Sequence, residues 1–322
     1  MTTGLSTQRL QRIDRFLTEN YIDTGRLPGA LTLVARRGEI AHFSALGLMD
    51  SERGKPTTED TIYRIYSMTK AITTVALMML YEEGRFQLND PIHKFVPEWK
   101  DAEVWVSGDH PNFKTRPAGR DITFRDLLSH QSGLSYGFTA DSPVERLYQT
   151  MVQPTGFDKP LADWSTTLAG VPLLFTPGSA WNYSVATDMC GYLVEVISGK
   201  KFDAFLLERI LNPLGMVDTA FYVPDDRVDR FAACYAPGGG GDGGDGRRFV
   251  LRDDPETSRY RKPPVLLSGG GGMVSTASDY YVFCQMLLDG GTANGHRFLG
   301  RKTIELMATN HLPGGVSLAE HA

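Results

Sequence analysis

Apolar side chains near the start of the chain recur at helical spacing. They are Leu10, Ile13, Phe16, Leu17 and Tyr21. This pattern predicts an amphipathic helix that ends before Gly25. The apolar segments 31–35 and 40–44 follow, and the short turn Arg37-Gly38-Glu39 between them predicts a β-hairpin. A third short strand is predicted at 62–65.

A second predicted helix, from Met68 to Glu83, has apolar side chains on almost every side. Such a helix is typical of the centre of a protein core, and Gly84 marks its end. Further helical patterns cover 124–130, 188–197 and 202–211. We therefore expect the middle of the chain to be mainly helical.

A stretch rich in glycine and aspartate, Gly238 to Gly246, separates two strand-like segments at 231–235 and 248–251. Glycine-aspartate repeats bind calcium where several copies stack, and a single copy cannot build such a site. The stretch is therefore predicted to be a mobile loop. Two more helices are predicted after it, one beginning near Thr276 and one over about 302–309.

The composition narrows the class of protein. A chain of 322 residues suits two domains or one two-part unit, at about 150 residues per domain. Its 41% hydrophobic and 22% charged residues exclude disordered, collagen-like and coiled-coil proteins. The net charge of −5 and the lack of a long basic run argue against a nucleic-acid partner.

The first residues, Met1 to Ser6, do not combine a basic stretch with an apolar one, and no run of about 18 apolar residues occurs. We therefore expect a cytoplasmic protein without a membrane partner. The cysteines Cys190, Cys234 and Cys284 are far apart and lack the CxxC spacing of zinc and redox sites. They are predicted to be reduced, structural thiols.

Two serines are followed three residues later by a lysine: Ser67 by Lys70, and Ser198 by Lys201. On the order of one such match is expected by chance in a chain of this length. Ser67 falls at the predicted start of the buried helix, with Lys70 one turn later on the same face. A lysine that is partly desolvated accepts a proton more readily, as activation of a serine requires. Ser198 instead precedes Gly199 at a predicted helix end, and Ser67 could also be an ordinary N-cap beside a solvated lysine.

A third serine pattern is Gly133-Leu134-Ser135-Tyr136-Gly137, which matches the G-x-S-x-G elbow of α/β hydrolases. An elbow requires a buried strand directly before the serine, whereas 127–130 has the pattern of a helix end. We therefore predict a glycine-rich turn here. Because His296, His311 and His321 follow it, the residue order of a Ser-His triad remains open.

A tyrosine could complete a Ser-Lys pair by sharing its proton. Tyr183 follows the turn signal 176–179 and precedes an apolar helix, so its side chain can project from a loop at a helix start. The alternative is a half-buried packing residue with a hydrogen-bonded hydroxyl.

Four segments occur in an order that resembles the serine β-lactamase superfamily. They are Ser67-Met68-Thr69-Lys70, Leu127 to Leu134, Tyr183-Ser184-Val185 and Gly270 to Thr276. The chain resembles most closely the family VIII carboxylesterases, which are related to class C β-lactamases and lovastatin-type acyltransferases. The resemblance runs from about Leu10 to Thr309. It implies an α/β (α+β) fold, in which an antiparallel sheet flanked by helices (about 1–66 and 225–322) accompanies a mainly helical region (about 67–224).

The resemblance also implies residue roles. Ser67 would be the nucleophile that accepts the acyl group, Lys70 its proton acceptor and Tyr183 the general base or proton relay. Ser135 would be a bystander. The backbone N–H of Ser67 would form half of the oxyanion hole. Neither a metal nor an organic cofactor is implied.

Two departures from the family pattern affect the expected function. Class C β-lactamases carry an asparagine where this chain has Val185, which favours simple esters over β-lactams. The third family motif should follow the helix at 302–309, and 311–315 is a poor substitute for it. We therefore expect the chain, which stops at Ala322, to be C-terminally incomplete and to self-associate.

The leading hypothesis is a serine esterase that hydrolyses short-chain carboxylic esters through an acyl-enzyme on Ser67, with a small-molecule ester as its partner. One alternative is a β-lactamase or D-alanyl peptidase-like hydrolase. Another is an inactive, truncated relative that only binds a ligand.

Overall fold

The computed structural model describes residues 3–138, 142–152, 158–238 and 248–321. The described α-helices, in chain order, are α1 Thr7–Leu17, α2 Thr69–Glu82, α3 Phe124–Leu128, α4 Pro143–Leu147, α5 Leu161–Ala169, α6 Ala186–Ser198, α7 Phe202–Leu206, α8 Asn212–Leu214, α9 Ala277–Leu288, α10 Arg301–Met307 and α11 Leu318–His321. The described strands are β1 Gly29–Arg36, β2 Glu39–Asp50, β3 Lys55–Pro56, β4 Tyr63–Arg64, β5 Glu103–Ser107, β6 Lys114–Pro117, β7 Cys234–Pro237, β8 Phe249–Asp253, β9 Val274–Ser275, β10 Thr292–Ala293 and β11 His296–Arg297.

Two compact units can be distinguished among the described residues. The first comprises Met1–Ile65, Gly215–Pro263 and Val274–Met286, and the second comprises Tyr66–Leu214, Pro264–Met273 and Leu287–Ala322. The first contains most of the sheet structure, and the second is mainly helical. The expected combination of antiparallel sheet and helical region is confirmed.

The second unit differs in extent from the predicted helical region at 67–224. Its first segment ends at Leu214, so that 215–224 belongs to the first unit, and it also includes 264–273 and 287–321. Hydrogen bonds explain both additions. The carbonyl oxygen of Gly270 accepts from Lys70 Nζ, and the carboxyl group of Glu82 accepts from the backbone N–H of Gly300. Lys70 and Glu82 both lie on α2, so the segments 264–273 and 287–321 pack with the helices of the second unit.

The first unit is built around the antiparallel sheet β1-β2-β3. The predicted hairpin is confirmed, with Leu33 opposite Phe43 across β1 and β2. Its two-residue turn places Arg37 at φ 56° and Gly38 at φ 77°. Positive φ at both positions matches the right-handed twist of the flanking strands, which is why a glycine is favoured there.

Several predicted elements of this unit are shorter or shifted. The predicted strand at 62–65 pairs with β9 over Tyr63 and Arg64 alone. The strand predicted at 231–235 begins only at Cys234. Phe231 forms an isolated parallel bridge with Ile62 instead and packs in a buried cluster with Ile62 and Val274. Apart from Gly238, the predicted glycine-aspartate loop lies outside the described residues.

Helix α2 forms the core of the second unit. Ile72, Val75 and Leu77 are fully buried, as expected for a helix that is apolar on almost every side, and α2 packs against α6. The predicted helix end after Ser198 is confirmed by Gly199, which adopts the left-handed conformation (φ 71°). The helix predicted over 202–211 is α7 followed by a π-helical segment, Leu207–Leu211.

Other predicted features concern cysteines and membranes. Cys190, Cys234 and Cys284 are free thiols, and Cys190 is buried. Within the described ranges, no helix is both long enough and apolar enough to cross a bilayer.

Candidate active site

Ser67 lies in a single 3-10 turn, Tyr66–Met68, directly before α2, and its side chain is exposed. Tyr66 adopts φ 42°, a left-handed conformation that is rare for a bulky residue. Because this turn leads directly into α2, the hydroxyl of Ser67 lies at the N-terminal end of a 14-residue helix, where the helix dipole stabilises negative charge. All the site residues described below belong to the second unit.

Lys70 lies one turn after Ser67 and is half-buried. Its Nζ donates to three oxygens: Ser67 Oγ at 3.3 Å, the Tyr136 hydroxyl at 2.9 Å and the Gly270 carbonyl at 2.6 Å. An ammonium group has three N–H donors, so all of them are used. The position of the Lys70 charge is thus determined by acceptors from three separate segments.

Tyr183 approaches Ser67 from the opposite side. Its hydroxyl donates to Ser67 Oγ at 2.7 Å, and its ring centroid lies 4.7 Å from Lys70 Nζ, within cation–π distance. The structure therefore brings together the three residues that the sequence predicted. The oxygen of Ser67 accepts hydrogen bonds from both Lys70 and Tyr183.

Tyr136 was missed as a site residue by the sequence reasoning. It accepts a hydrogen bond from Lys70, and its ring lies 5.2 Å from the Tyr183 ring. Burial raises the pKa of the Tyr136 phenol far above its usual range, and the nearby Asp188 adds to this effect. Tyr136 is therefore a protonated, neutral partner of Lys70. It lies within the G-x-S-x-G segment, where attention falls on the serine.

Asp188, on α6, determines the position of the Gly270 carbonyl. Its Oδ1 accepts from Gly270 N at 2.9 Å and from Ser268 Oγ at 2.5 Å. Asp188 is buried, and this burial raises its pKa, although the two donors and the Lys70 charge oppose the shift. By holding the backbone of Gly270, Asp188 orients the carbonyl that Lys70 contacts.

The glycine at position 270 is required by close packing. A Cβ there would lie 2.3 Å from Asp188 Oδ2 and 2.9 Å from the Tyr136 hydroxyl. Gly269 is similarly confined, because its Cβ would lie 2.8 Å from the Thr187 carbonyl. The glycine run that the sequence shows at 269–272 thus allows the loop to approach α6 and Lys70.

His130 supports Tyr183. Its Nδ1 accepts from the backbone N–H of Ser184 at 3.3 Å, and its ring lies 4.9 Å from that of Tyr183. Burial, reinforced by the positive charge of Lys70, lowers the pKa of His130 to about 4. The imidazole is therefore neutral at physiological pH.

This geometry agrees with the comparisons with known proteins. The family model described as Beta-lactamase matches residues 13–319. The chain belongs to the Beta-lactamase family. The resemblance inferred from the four motifs is thereby confirmed, and the chain is a β-lactamase-fold serine hydrolase.

Relatives of this Beta-lactamase family chain include proteins named as esterases. Protein Rv1367c of Mycobacterium tuberculosis (strain ATCC 25618 / H37Rv) is 38% identical over 290 residues, which are 90% of this chain and 69% of that protein. Esterase EstB of Burkholderia gladioli is 36% identical over 216 residues, 66% of this chain and 51% of EstB. Among solved structures, EstCE1, described as a hydrolase with promiscuous acyltransferase activity, matches with a TM-score of 0.75 and 27% identity, covering 95% of this chain and 78% of EstCE1.

The other candidate serines of this β-lactamase-fold protein lie elsewhere. Ser135 is fully buried and donates to the carboxyl group of Glu145, and the regular element that precedes it is α3 rather than a strand. This is the turn that the sequence predicted, not an elbow. Ser198 ends α6, where its Oγ accepts from the backbone N–H of Lys200 at 3.1 Å.

Replacing Gly270 by alanine should slow labelling of Ser67 by a fluorophosphonate, a reagent for serine hydrolases, by about tenfold or more, since displacing catalytic groups by an ångström has effects of this size. The physical reason is the overlap of the new Cβ with Asp188. The control is Gly271→Ala, where the nearest atom to a Cβ lies at 3.6 Å. Equal labelling rates for both variants would contradict the role of the loop.

The stability of the protein should depend on His130 at acidic pH. The folded state takes up this proton only near pH 4, whereas the unfolded chain takes it up near pH 6.5. The free energy of unfolding therefore falls as the pH falls from about 6.5 to about 4. We expect urea titrations of His130→Asn to show a shallower decrease than wild type over this range. The control is His296→Asn, which changes an exposed histidine and should keep the wild-type slope; a His130→Asn slope equal to wild type would argue against this assignment.

Proposed function

We propose that this chain is a serine esterase of the family VIII type, which hydrolyses short-chain carboxylic esters through an acyl-enzyme on Ser67. One observation carries the proposal: the exposed oxygen of Ser67 is hydrogen-bonded to both the Tyr183 hydroxyl and Lys70 Nζ at the start of a buried helix. A serine hydroxyl requires such neighbours to become a nucleophile.

In the acylation step, the Tyr183–Lys70 pair acts in the form in which one of its two groups has lost a proton. Ser67 Oγ attacks the carbonyl carbon of the ester and releases its proton to that vacant position. The tetrahedral intermediate then expels the alcohol, which receives that proton as the bond between carbonyl carbon and ester oxygen breaks. Water repeats the sequence on the acyl-enzyme and releases the carboxylic acid. Proton transfer of this kind contributes about 10²–10⁴ in rate.

Tyr183 and Lys70 act as one unit in this proposal. Nζ lies against the Tyr183 ring, and both groups contact the same oxygen of Ser67. The two residues therefore accept the proton of Ser67 together, and neither residue alone is the base.

Negative charge develops on the carbonyl oxygen of the ester in the transition state, and hydrogen-bond donors are required to stabilise it. The backbone N–H of Ser67 stands at the N-terminal end of α2 and supplies one of them in this proposal, with the helix dipole in support.

Esters are favoured over β-lactams by the residue two positions after Tyr183. Val185 is buried and directly precedes α6 as its N-cap residue, and a valine side chain has no amide to offer to Lys70 or to a lactam carbonyl. The names of EstB and of the lovastatin esterase of Penicillium rubens, which is 31% identical over 62% of this chain and 50% of its own length, point in the same direction.

The proposal is tested by comparing turnover of p-nitrophenyl acetate, butyrate and decanoate with that of a chromogenic cephalosporin. We expect the two short esters to be hydrolysed fastest. Faster cephalosporin turnover would favour the β-lactamase or peptidase alternative. A folded protein that turns over none of them and is not labelled would favour an inactive binding relative.

Ser67→Ala should abolish both ester turnover and the covalent fluorophosphonate adduct. The matched control is Ser198→Ala, which alters the other S-x-x-K serine and should leave both unchanged. Mass spectrometry of the labelled protein, followed by peptide mapping, locates the adduct. An adduct that persists in Ser67→Ala would show that another residue is the nucleophile.

Lys70→Ala and Tyr183→Phe should each lower kcat by about 10²–10⁴. Because the two groups transfer one proton together, the double variant should lose little more than either single variant. Steady-state kinetics on the preferred ester measure the three values. Losses that multiply in the double variant would indicate separate roles.

A further inference from the structure

We propose that Ser135, Asn182 and Glu145 are positioning residues that set the distance between Tyr136 and Tyr183 in the active site. This inference rests on the proposed function, since it concerns the tyrosines beside Ser67. It gives a role to the G-x-S-x-G serine, which is buried and has no access to a substrate.

The three side chains form a continuous network. Ser135 Oγ donates to Glu145 Oε1 and accepts from Asn182 Nδ2 at 3.2 Å. The same Asn182 Nδ2 also donates to the backbone carbonyl of Leu134 at 2.9 Å. Ser135 and Glu145 are almost completely buried, so these bonds have little competition from water.

Backbone bonds reinforce the connection between the two segments. The N–H of Val185 donates to the Ser135 carbonyl at 3.1 Å, and the N–H of Asn182 donates to the His130 carbonyl at 2.9 Å. The segments 130–136 and 182–185 are thus joined by side chains and by main chain together.

Each member of the central pair is the chain neighbour of an active-site tyrosine. Ser135 directly precedes Tyr136, which contacts Lys70, and Asn182 directly precedes Tyr183, which contacts Ser67. A shift of either segment therefore changes the position of a tyrosine hydroxyl group relative to Ser67. The 5.2 Å separation of the two rings is the distance that the network maintains.

Glu145 determines which atoms of the network donate and which accept hydrogen bonds. It lies in α4, where the Ser142 side chain caps the helix by accepting the N–H of Glu145 at 3.2 Å. A buried carboxyl group requires a donor, and the single hydroxyl proton of Ser135 supplies one. The lone pairs of Ser135 then remain to accept from Asn182.

The chain offers a matched control. Ser165 is also fully buried, donates to Glu98 at 2.8 Å and accepts from the indole N–H of Trp99 at 2.9 Å. Ser165→Ala therefore removes the same kind of hydroxyl, with the same kinds of partner. The partners of Ser165 are Glu98 and Trp99, neither of which is a chain neighbour of Tyr136 or Tyr183.

The experiment measures kcat and KM for the preferred ester, together with melting temperature, for Ser135→Ala, Asn182→Ala and Ser165→Ala. We expect both serine variants to melt at lower temperature. Only Ser135→Ala and Asn182→Ala should lose kcat, by about tenfold or more at unchanged KM, because ångström shifts of catalytic groups have effects of this size. The double variant should lose less than the product of the two single losses, since both substitutions remove the hydrogen bond between Asn182 and Ser135. Glu145→Gln, which keeps an acceptor oxygen, should retain more activity than Glu145→Met.

Wild-type kcat in Asn182→Ala, or an equal kcat loss in Ser165→Ala, would overturn the inference. If Ser135→Ala does not fold, Asn182→Ala decides, because Asn182 is only half-buried and lies outside the buried core. A wild-type protein that hydrolyses ester while Asn182→Ala is unaffected contradicts the positioning role alone. A folded wild-type protein without ester turnover or Ser67 labelling overturns the proposed function and this inference together.

Discussion

The half-buried ammonium group of Lys70 determines the arrangement of the residues around it. Its three donors meet the Ser67 hydroxyl at the start of α2, the Tyr136 phenol on the loop after α3, and the Gly270 carbonyl of the segment 264–273. None of these three acceptors, a hydroxyl, a protonated phenol and a backbone carbonyl, carries a formal charge. The buried carboxyl group of Asp188 interacts with the Lys70 charge and also holds the Gly270 backbone. A single cation therefore requires three segments to converge.

The convergence depends on how firmly α2 is fixed. An amphipathic helix can rotate or shift on its apolar face, whereas α2 is enclosed on several sides by buried residues such as Ile72, Val75 and Leu77. Full burial of each such side chain contributes about 1.5–3 kcal/mol, so a rotation that exposed one face would be costly. Ser67 and Lys70 consequently keep their orientation relative to the loops.

The local parts of this arrangement could be predicted from the sequence. A serine and a lysine one helical turn apart are juxtaposed by backbone geometry alone, and Tyr183 followed from its place before an apolar helix. Tyr136 and the Gly270 carbonyl lie 66 and 200 positions from Lys70, and periodicity does not report contacts at that separation. A backbone carbonyl also has no residue signature. For the same reason, the hydrogen bonds that join 264–273 and 287–321 to α2 were not foreseen, although the hairpin, α2 and the end of α6 were.

Ser67 and Ser135 show why a short motif does not determine chemistry. Both serines match a known nucleophile pattern, and both are hydrogen-bonded to a side chain of a type that can accept a proton. The carboxyl group of Glu145 contacts Ser135 as directly as Tyr183 contacts Ser67. The difference is exposure: Ser135 is fully buried, so no ester carbon can reach its oxygen, and its hydroxyl is committed to neighbours on both sides. Ser67 is exposed at a helix start. Because Ser135 is buried, it can only connect neighbouring segments. Because Ser67 is exposed to solvent, its hydroxyl remains available for reaction.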